Sequence, residues 1–169
     1  CISGEMAHNC VANGRILREG PFKRVWIQPA SSNAGCALGA AFLGWHEYMG
    51  KRRKANIKRD SQKMSLLGPS HTDEEIERYL KENGIKYERL ERGVLLKKVA
   101  GFLNAQKIVG LFQGRIEFGP RALGNRSILA DPRAKEMRDI INLKVKFREP
   151  FRPFAPSVLL EKAENYFDL

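Results

Sequence analysis

Cysteine and histidine are scarce in these 169 residues, with three of each. Cys1, Cys10 and Cys36 are an odd number without a CxxC spacing, which argues against a disulfide framework or a thiolate zinc site. Reduced thiols in a cytoplasmic protein fit better. His8, His46 and His71 are scattered, and no nucleophile elbow accompanies them, so Ser-His-Asp or Cys-His chemistry has no support. Each reads as a surface or packing histidine. Acidic residues are also in short supply, 19 against 30 Lys and Arg, for a formal net charge of +11. That surplus predicts anionic partners: nucleotides, phosphates, nucleic acid, or an acidic part of a longer chain. No apolar run reaches membrane-spanning length and no signal peptide is visible, so neither insertion nor secretion is expected. An initiator Met is absent too. The chain opens on Cys1 in what reads as a strand end and closes at Leu169 in an unfinished helical pattern, so it is read as a piece of a longer protein.

What is abundant is concentrated. Between Arg115 and Arg152 stand ten Lys or Arg against five acids, interleaved with Gly114, Gly119, Pro120, Gly124, Pro132, Pro150, Pro153 and Pro156. Guanidinium groups on rigid turns suit planar, bidentate binding of phosphate or carboxylate. Arg121 lies between Pro120 and Ala122, Arg126 precedes Ser127, and Lys146 lies two residues before Arg148. Ser127 offers a hydroxyl to a phosphate oxygen. Lys144 and Lys146 alternate about Val145, so they point the same way only if that stretch is extended. Arg133, Lys135 and Arg138 read as ordinary solvated charges on a helix. Glu117 and Glu149 invite a paired-carboxylate reading. Glu117 reads better as ordering a neighbouring arginine, and Glu149 as a loop residue.

Along the chain, residues 1–50 read as strand end, loop, helix, strand, loop, helix. The first helix covers about 7–18 and stops at Gly20-Pro21. Residues 24–28 suggest a short buried strand, 29–33 a small polar loop, and a Gly/Ala-rich helix starts at Ala34. Loops that lead into helix N-termini are natural phosphate sites. Residues 51–67 hold most of a basic run and read as a linker. Thr72 to Glu75 is a capping box that opens a helix ending near Asn83-Gly84. Ile85, Tyr87 and Leu90 suggest a strand. Residues 93–106 form an amphipathic helix with Leu95, Val99, Phe102 and Leu103 on one face. Strands at 107–112, 126–130 and 155–160 and a helix at 134–146 complete an α/β (α+β) pattern.

The words GRIEFGPRALGNRSILADPR and INLKVKFREPFRPFAPSVL, with NCVANGRILREGPFKRVWIQPASSNAGCALGAA upstream, resemble the carbamoyltransferase family of nodulation and antibiotic O-carbamoyltransferases. The resemblance implies that residues 1–50 end an actin/hexokinase-like domain and that 68–169 belong to a truncated YrdC-like domain. It implies carbamoyl adenylate formation from carbamoyl phosphate and ATP with Mg, then transfer to an acceptor hydroxyl. Arg121, Arg126, Lys146 and Arg148 would serve that chemistry. Gly4, Asn9, Asn13, Ser127, Lys144 and Arg152 would bind nucleotide or substrate. Where the family has a second glycine in its first loop, Glu5 stands here, with His8 and Met6 also unusual. Where it has an Asp that helps hold iron or another divalent metal, Asn33 stands, a poorer ligand. A homodimer is compatible with this reading.

Two other readings remain open. The basic linker and Phe118, Phe147, Phe151 and Phe154 beside basic residues are compatible with nucleic-acid binding. The substitutions at Glu5 and Asn33 are compatible with a non-catalytic relative. The fragment alone is expected to lack the full reaction.

Overall fold

The computed structural model describes residues 1–56 and 58–168. Ile57, inside the expected linker, and Leu169 lie outside the described residues. The chain packs as two units: Cys1–Glu88 with Gly110–Ser127, and Arg89–Val109 with Ile128–Leu169.

In the first unit, Ile2 and Ile27 form a parallel bridge, with Ile2 N–H donating to the Trp26 carbonyl at 2.8 Å. The strand expected over 24–28 shrinks to that bridge. With one neighbour to pair against, the backbone gains too few ladder bonds to continue. A 3-10 turn, Glu5–His8, leads to α1 (Cys10–Glu19). Asn9 caps α1 by accepting from Ala12 N–H, and Gly20 closes it, close to the expected limits. α2 (Asn33–Leu43) begins one residue earlier than expected and runs on as a π-turn, Gly44–Tyr48. Beyond it the only helical turn up to residue 69 is the short Lys63–Ser65, among the described residues. α3 (Asp73–Glu82) carries both bonds of the Thr72–Glu75 capping box and is followed by Gly84 at φ +63°. Its origin is wholly local, which is why sequence sufficed.

The strand expected at 85–90 is not there. Ile85 and Tyr87 are exposed, and Tyr87 instead donates its hydroxyl hydrogen to Glu77 at 2.7 Å. Alternation describes a surface that could pair, but no strand lies alongside it among the described residues.

In the second unit α4 (Arg92–Asn104) matches the expected amphipathic helix, although Leu95 and Phe102 stay exposed. Where the chain passes from one unit to the other, β1 (Val109–Phe112) and β2 (Arg126–Leu129) pair in a two-stranded sheet. Gln113 N–H donating to the Asn125 carbonyl, 2.9 Å, continues the pairing. The helix expected over 134–146 starts later, as α5 (Met137–Ile140), and widens into a π-turn, Ile141–Val145. Residues 155–160 form no strand, and the next regular piece is a 3-10 helix, Leu160–Asn165. Pro153 and Pro156 supply no N–H for a ladder there. The mixed helix and small-sheet content agrees with an α/β class.

Apart from Met137 and Ile141, the buried residues are small or polar: Ala7, Ala30, Ser31, Ser65 and Glu117 in the first unit, and Asp131, Asn142 and Ala163 in the second. Polar groups taken out of water must be hydrogen-bonded, so these mark where the backbone is pinned. Among the described residues no helix is long and apolar enough to cross a membrane.

Candidate active site

Residues 113–126 form a loop that packs onto the first unit through backbone contacts. Phe118 N–H donates to the Ser65 carbonyl at 2.6 Å, Gly68 N–H to the Ile116 carbonyl at 2.9 Å, and Ile116 N–H to the Pro69 carbonyl at 3.0 Å. Arg115 Nε donates to the Gly68 carbonyl at 2.8 Å. Gly119, at φ +117°, lies against Ala30, and a Cβ there would stand 2.9 Å from the Ala30 Cβ. Only glycine combines that backbone angle with that approach. Gly35 in α2 meets the Ala30 carbonyl as closely, so Ala30 is wholly buried between two glycines.

Glu117 is the pin of this loop. Its side chain is fully buried, and Oε1 accepts from Leu123 N–H at 2.8 Å and Asn125 N–H at 2.7 Å. Burial pushes its carboxyl up. The N–H groups of Asn125, Leu123 and Glu117 itself, with the charge of Arg126, together outweigh that and hold it below the ordinary carboxylate value. Among the described residues Oε2 has no hydrogen-bond partner, and Arg126 Nε stands 3.9 Å from it. Arg126 also reaches the Gly119 carbonyl through Nη2 at 3.3 Å. Arg121 is exposed on the same loop.

Beside the Ala30 turn is a cleft of about 380 Å³ whose wall includes Gly4, Gln28, Ser31, Gly35 and Cys36. That is large enough for part of a nucleotide. Gly4 turns the chain at φ +88°. His8 Nε2 lies 3.2 Å from Ser31 Oγ.

The second unit holds another pinned loop. Asn142, wholly buried in the π-turn, donates from Nδ2 to the Pro150 carbonyl at 3.0 Å and the Arg152 carbonyl at 2.9 Å. Its Oδ1 accepts from Arg148 Nε at 2.7 Å, and its own carbonyl accepts from Arg148 N–H at 2.9 Å. The Arg148 guanidinium carbon sits 4.8 Å from the centre of the Phe154 ring. Phe147 turns the chain at φ +49°, a left-handed angle costly for a side chain that size. Arg152 Nε pairs with Glu149 at 2.8 Å on the surface.

The carbamoyltransferase N-terminus family model matches residues 1–42, and the carbamoyltransferase C-terminus model matches residues 100–169. The chain belongs to the carbamoyltransferase family. The Synechocystis sp. protein sll1178 is 54% identical over 171 residues, covering 100% of this chain and 28% of that relative. Nodulation protein NolNO of Sinorhizobium fredii is 43% identical over 171 residues, covering 99% of this chain and 24% of its own length. Nodulation protein NolO of Bradyrhizobium diazoefficiens is 42% identical over 169 residues, with 100% and 30% covered. The chain thus spans between about a quarter and a third of these relatives.

In this chain of the carbamoyltransferase family the candidate residues fall into two groups. Gly4, Asn9, Asn13, Asn33, Arg121, Arg126 and Ser127 lie in the first unit; Lys144, Lys146, Arg148 and Arg152 lie in the second. Asn9 spends its side-chain oxygen on capping α1, and Asn13 Nδ2 donates to the Ala7 carbonyl at 2.8 Å. Ser127 lies in β2. Lys144 lies in the π-turn and Lys146 caps it at φ −101°, ψ −11°, so the extended arrangement that would align them is not adopted. Arg133 is more than a solvated charge: it grips buried Asp131 through Nε and Nη2 and reaches Asn104 Oδ1 at 2.9 Å. Its guanidinium holds the Asp131 carboxyl below the usual carboxylate value.

Asn33 is the exposed first residue of α2. The donors nearest it in sequence are the Ser31 and Ser32 hydroxyls, with His8 bonded to Ser31, and the set holds no carboxylate. Among the described residues no three His, Cys, Asp or Glu gather into a metal-holding group. These residues do not fit a resident divalent cation by themselves, and no chemical step is assigned to one. Two features escaped the sequence reading, Asn142 and the His8–Ser31 contact. A polar residue among Ile140, Ile141 and Leu143 was the visible signal for the first. The second had none.

Proposed function

We propose that this chain is the portion of an ATP-dependent O-carbamoyltransferase that binds the phosphate-bearing reactants. In that reading it comprises the end of an actin/hexokinase-like domain and an incomplete YrdC-like domain. The observation that carries it is the arginine loop: residues 113–126, pinned by buried Glu117, lie against the Ala30 turn beside the Gly4 cleft. Guanidinium groups carried on a pinned backbone, beside a loop leading into the N-terminus of α2, suit nucleotide phosphates.

Water attacks the phosphorus of carbamoyl phosphate to give carbamate and inorganic phosphate, and a carbamate oxygen then attacks the α-phosphorus of ATP, releasing pyrophosphate and forming carbamoyl adenylate. An acceptor hydroxyl, on a small molecule or a glycan, then attacks the carbamoyl carbon, and AMP leaves. No step needs a protein nucleophile. The protein's work is positioning and charge neutralisation. Arg121, Arg126 and Ser127 hold the ATP phosphates; Arg148 and Arg152 hold carbamoyl phosphate, and Lys144 and Lys146, which do not align, add positive charge. Magnesium enters with ATP, held by its phosphates.

Titration calorimetry of the chain with ATP and with carbamoyl phosphate tests the assignment. Arg121→Ala and Arg126→Ala are expected to weaken ATP binding by roughly tenfold each, the loss of one charge-assisted contact. Affinities unchanged in both variants would sink it. A steep fall in affinity for random single-stranded RNA with rising salt, together with no ATP binding, would favour the nucleic-acid alternative.

A further inference from the structure

A guanidinium can engage an anion side-on, through Nε and one Nη, or end-on, through Nη1 and Nη2. In Arg148 the side-on route is already taken. Its Nε donates to Asn142 Oδ1 at 2.7 Å, and its flat face lies over Phe154. The main chain is bound as well, Arg148 N–H to the Asn142 carbonyl at 2.9 Å. Nη2 makes only a 3.5 Å contact with the Pro153 carbonyl, and Nη1 makes no hydrogen bond among the described residues. Arg148 as a whole is half-buried.

Asn142 also fixes what surrounds that arginine. The two hydrogens of its Nδ2 go to the carbonyls of Pro150 and Arg152, so one buried amide ties three points of the 148–152 loop to the π-turn. An amide does this where no carboxylate could, because it donates and accepts at once. The π-turn is the local departure that sets Asn142 in this position, and such turns recur at functional sites. Left-handed Phe147, exposed and strained, is the second local departure in the same loop.

We propose that Asn142 is the positioning residue for Arg148. It holds the guanidinium by Nε so that the Nη1–Nη2 edge is presented, already oriented, to two oxygens of carbamoyl phosphate. This rests on the proposed reading that the 144–152 loop binds that substrate. Preorientation matters because an arginine free to rotate gives back much of its binding in ordering cost.

Calorimetry with carbamoyl phosphate, and with inorganic phosphate as a second probe, separates the two ideas. Arg148→Ala is expected to lower affinity for both by roughly tenfold to a hundredfold. Unchanged affinity there overturns the substrate reading and the inference with it. Asn142→Ala is expected to cost roughly tenfold alone and nothing further in the Arg148→Ala background, the non-additivity of a residue acting through another. Full affinity in Asn142→Ala, or an additive loss in the double variant, overturns the positioning role while leaving the substrate reading intact. Phe154→Leu, which spares every buried hydrogen bond, is expected to show a smaller, equally non-additive loss, and additivity there counts against the proposal. If Asn142→Ala does not fold, the Arg148 Nε–H resonance of the unaltered chain decides. Slow exchange with solvent is expected, and exchange as fast as that of exposed Arg121 overturns it.

Discussion

The two basic loops are pinned by side chains of opposite character. Residues 113–126 hang on a carboxylate, Glu117, and residues 147–154 on a neutral amide, Asn142; both pins are fully buried. The carboxylate can only accept, so it gathers N–H groups, from Leu123 and Asn125, and among the described residues leaves Oε2 without a hydrogen bond near Arg126. The amide gathers both kinds of partner, carbonyls of Pro150 and Arg152 and the Nε–H of Arg148, and its polar atoms are satisfied. A buried charge carries a larger desolvation cost than a buried amide, and its hold on the loop titrates. The first loop is therefore pinned conditionally and the second unconditionally.

The largest effect expected from breaking this pair is at Asn142. Asn142→Ala should destabilise the second unit by about 2–4 kcal/mol, because two carbonyls and an arginine lose buried partners together. Urea unfolding followed by circular dichroism measures it, and a cost under about 1 kcal/mol would show the amide is not the pin.

Glu117→Gln should cost roughly 1–3 kcal/mol near neutral pH, since Gln keeps an acceptor but buries an NH₂ with no carbonyl placed for it. The pH dependence sharpens the contrast. Glu117 titrates below its ordinary 4.5 when folded, so its contribution is complete above that value and is lost as pH falls through the lower folded value. The gap between the unaltered chain and Glu117→Gln should close over that acid range, while the Asn142→Ala gap stays nearly constant. A Glu117→Gln gap that widens toward acid would contradict a lowered folded pKa.

A smaller, favourable change is expected at Phe147. Its side chain is 83% exposed at φ +49°, so Phe147→Gly relieves left-handed strain while losing little packing, a gain of about 0.5–1 kcal/mol. Thermal melts check it, and a destabilised variant would mean the ring packs more than its exposure implies. The least effect on stability is expected from Arg152→Ala, with no resolvable shift of the urea midpoint, because the Glu149 pair is exposed on both sides. Its effect should fall on carbamoyl phosphate affinity instead.

Sequence by itself determined what is decided within a few residues. The Thr72–Glu75 capping box, the stop of α1 at Gly20 and the excess of arginine on Gly/Pro turns all follow from neighbours in the chain. Glu117 was expected to order a neighbouring arginine; it chiefly gathers the Leu123 and Asn125 N–H groups, and Arg126 Nε stands 3.9 Å off. Residues 85–90 misled for the converse reason: alternation states what a strand needs, and whether a second backbone arrives beside it is settled at a distance. The tertiary structure alone decided that Ala30 is enclosed by Gly35 and Gly119, that the candidate residues divide between two units, and that Asn142 rather than an arginine anchors the second loop. A buried polar side chain takes its meaning from the groups folded against it, and those of Asn142 come from the turn at Pro150 and Arg152, which no local pattern specifies.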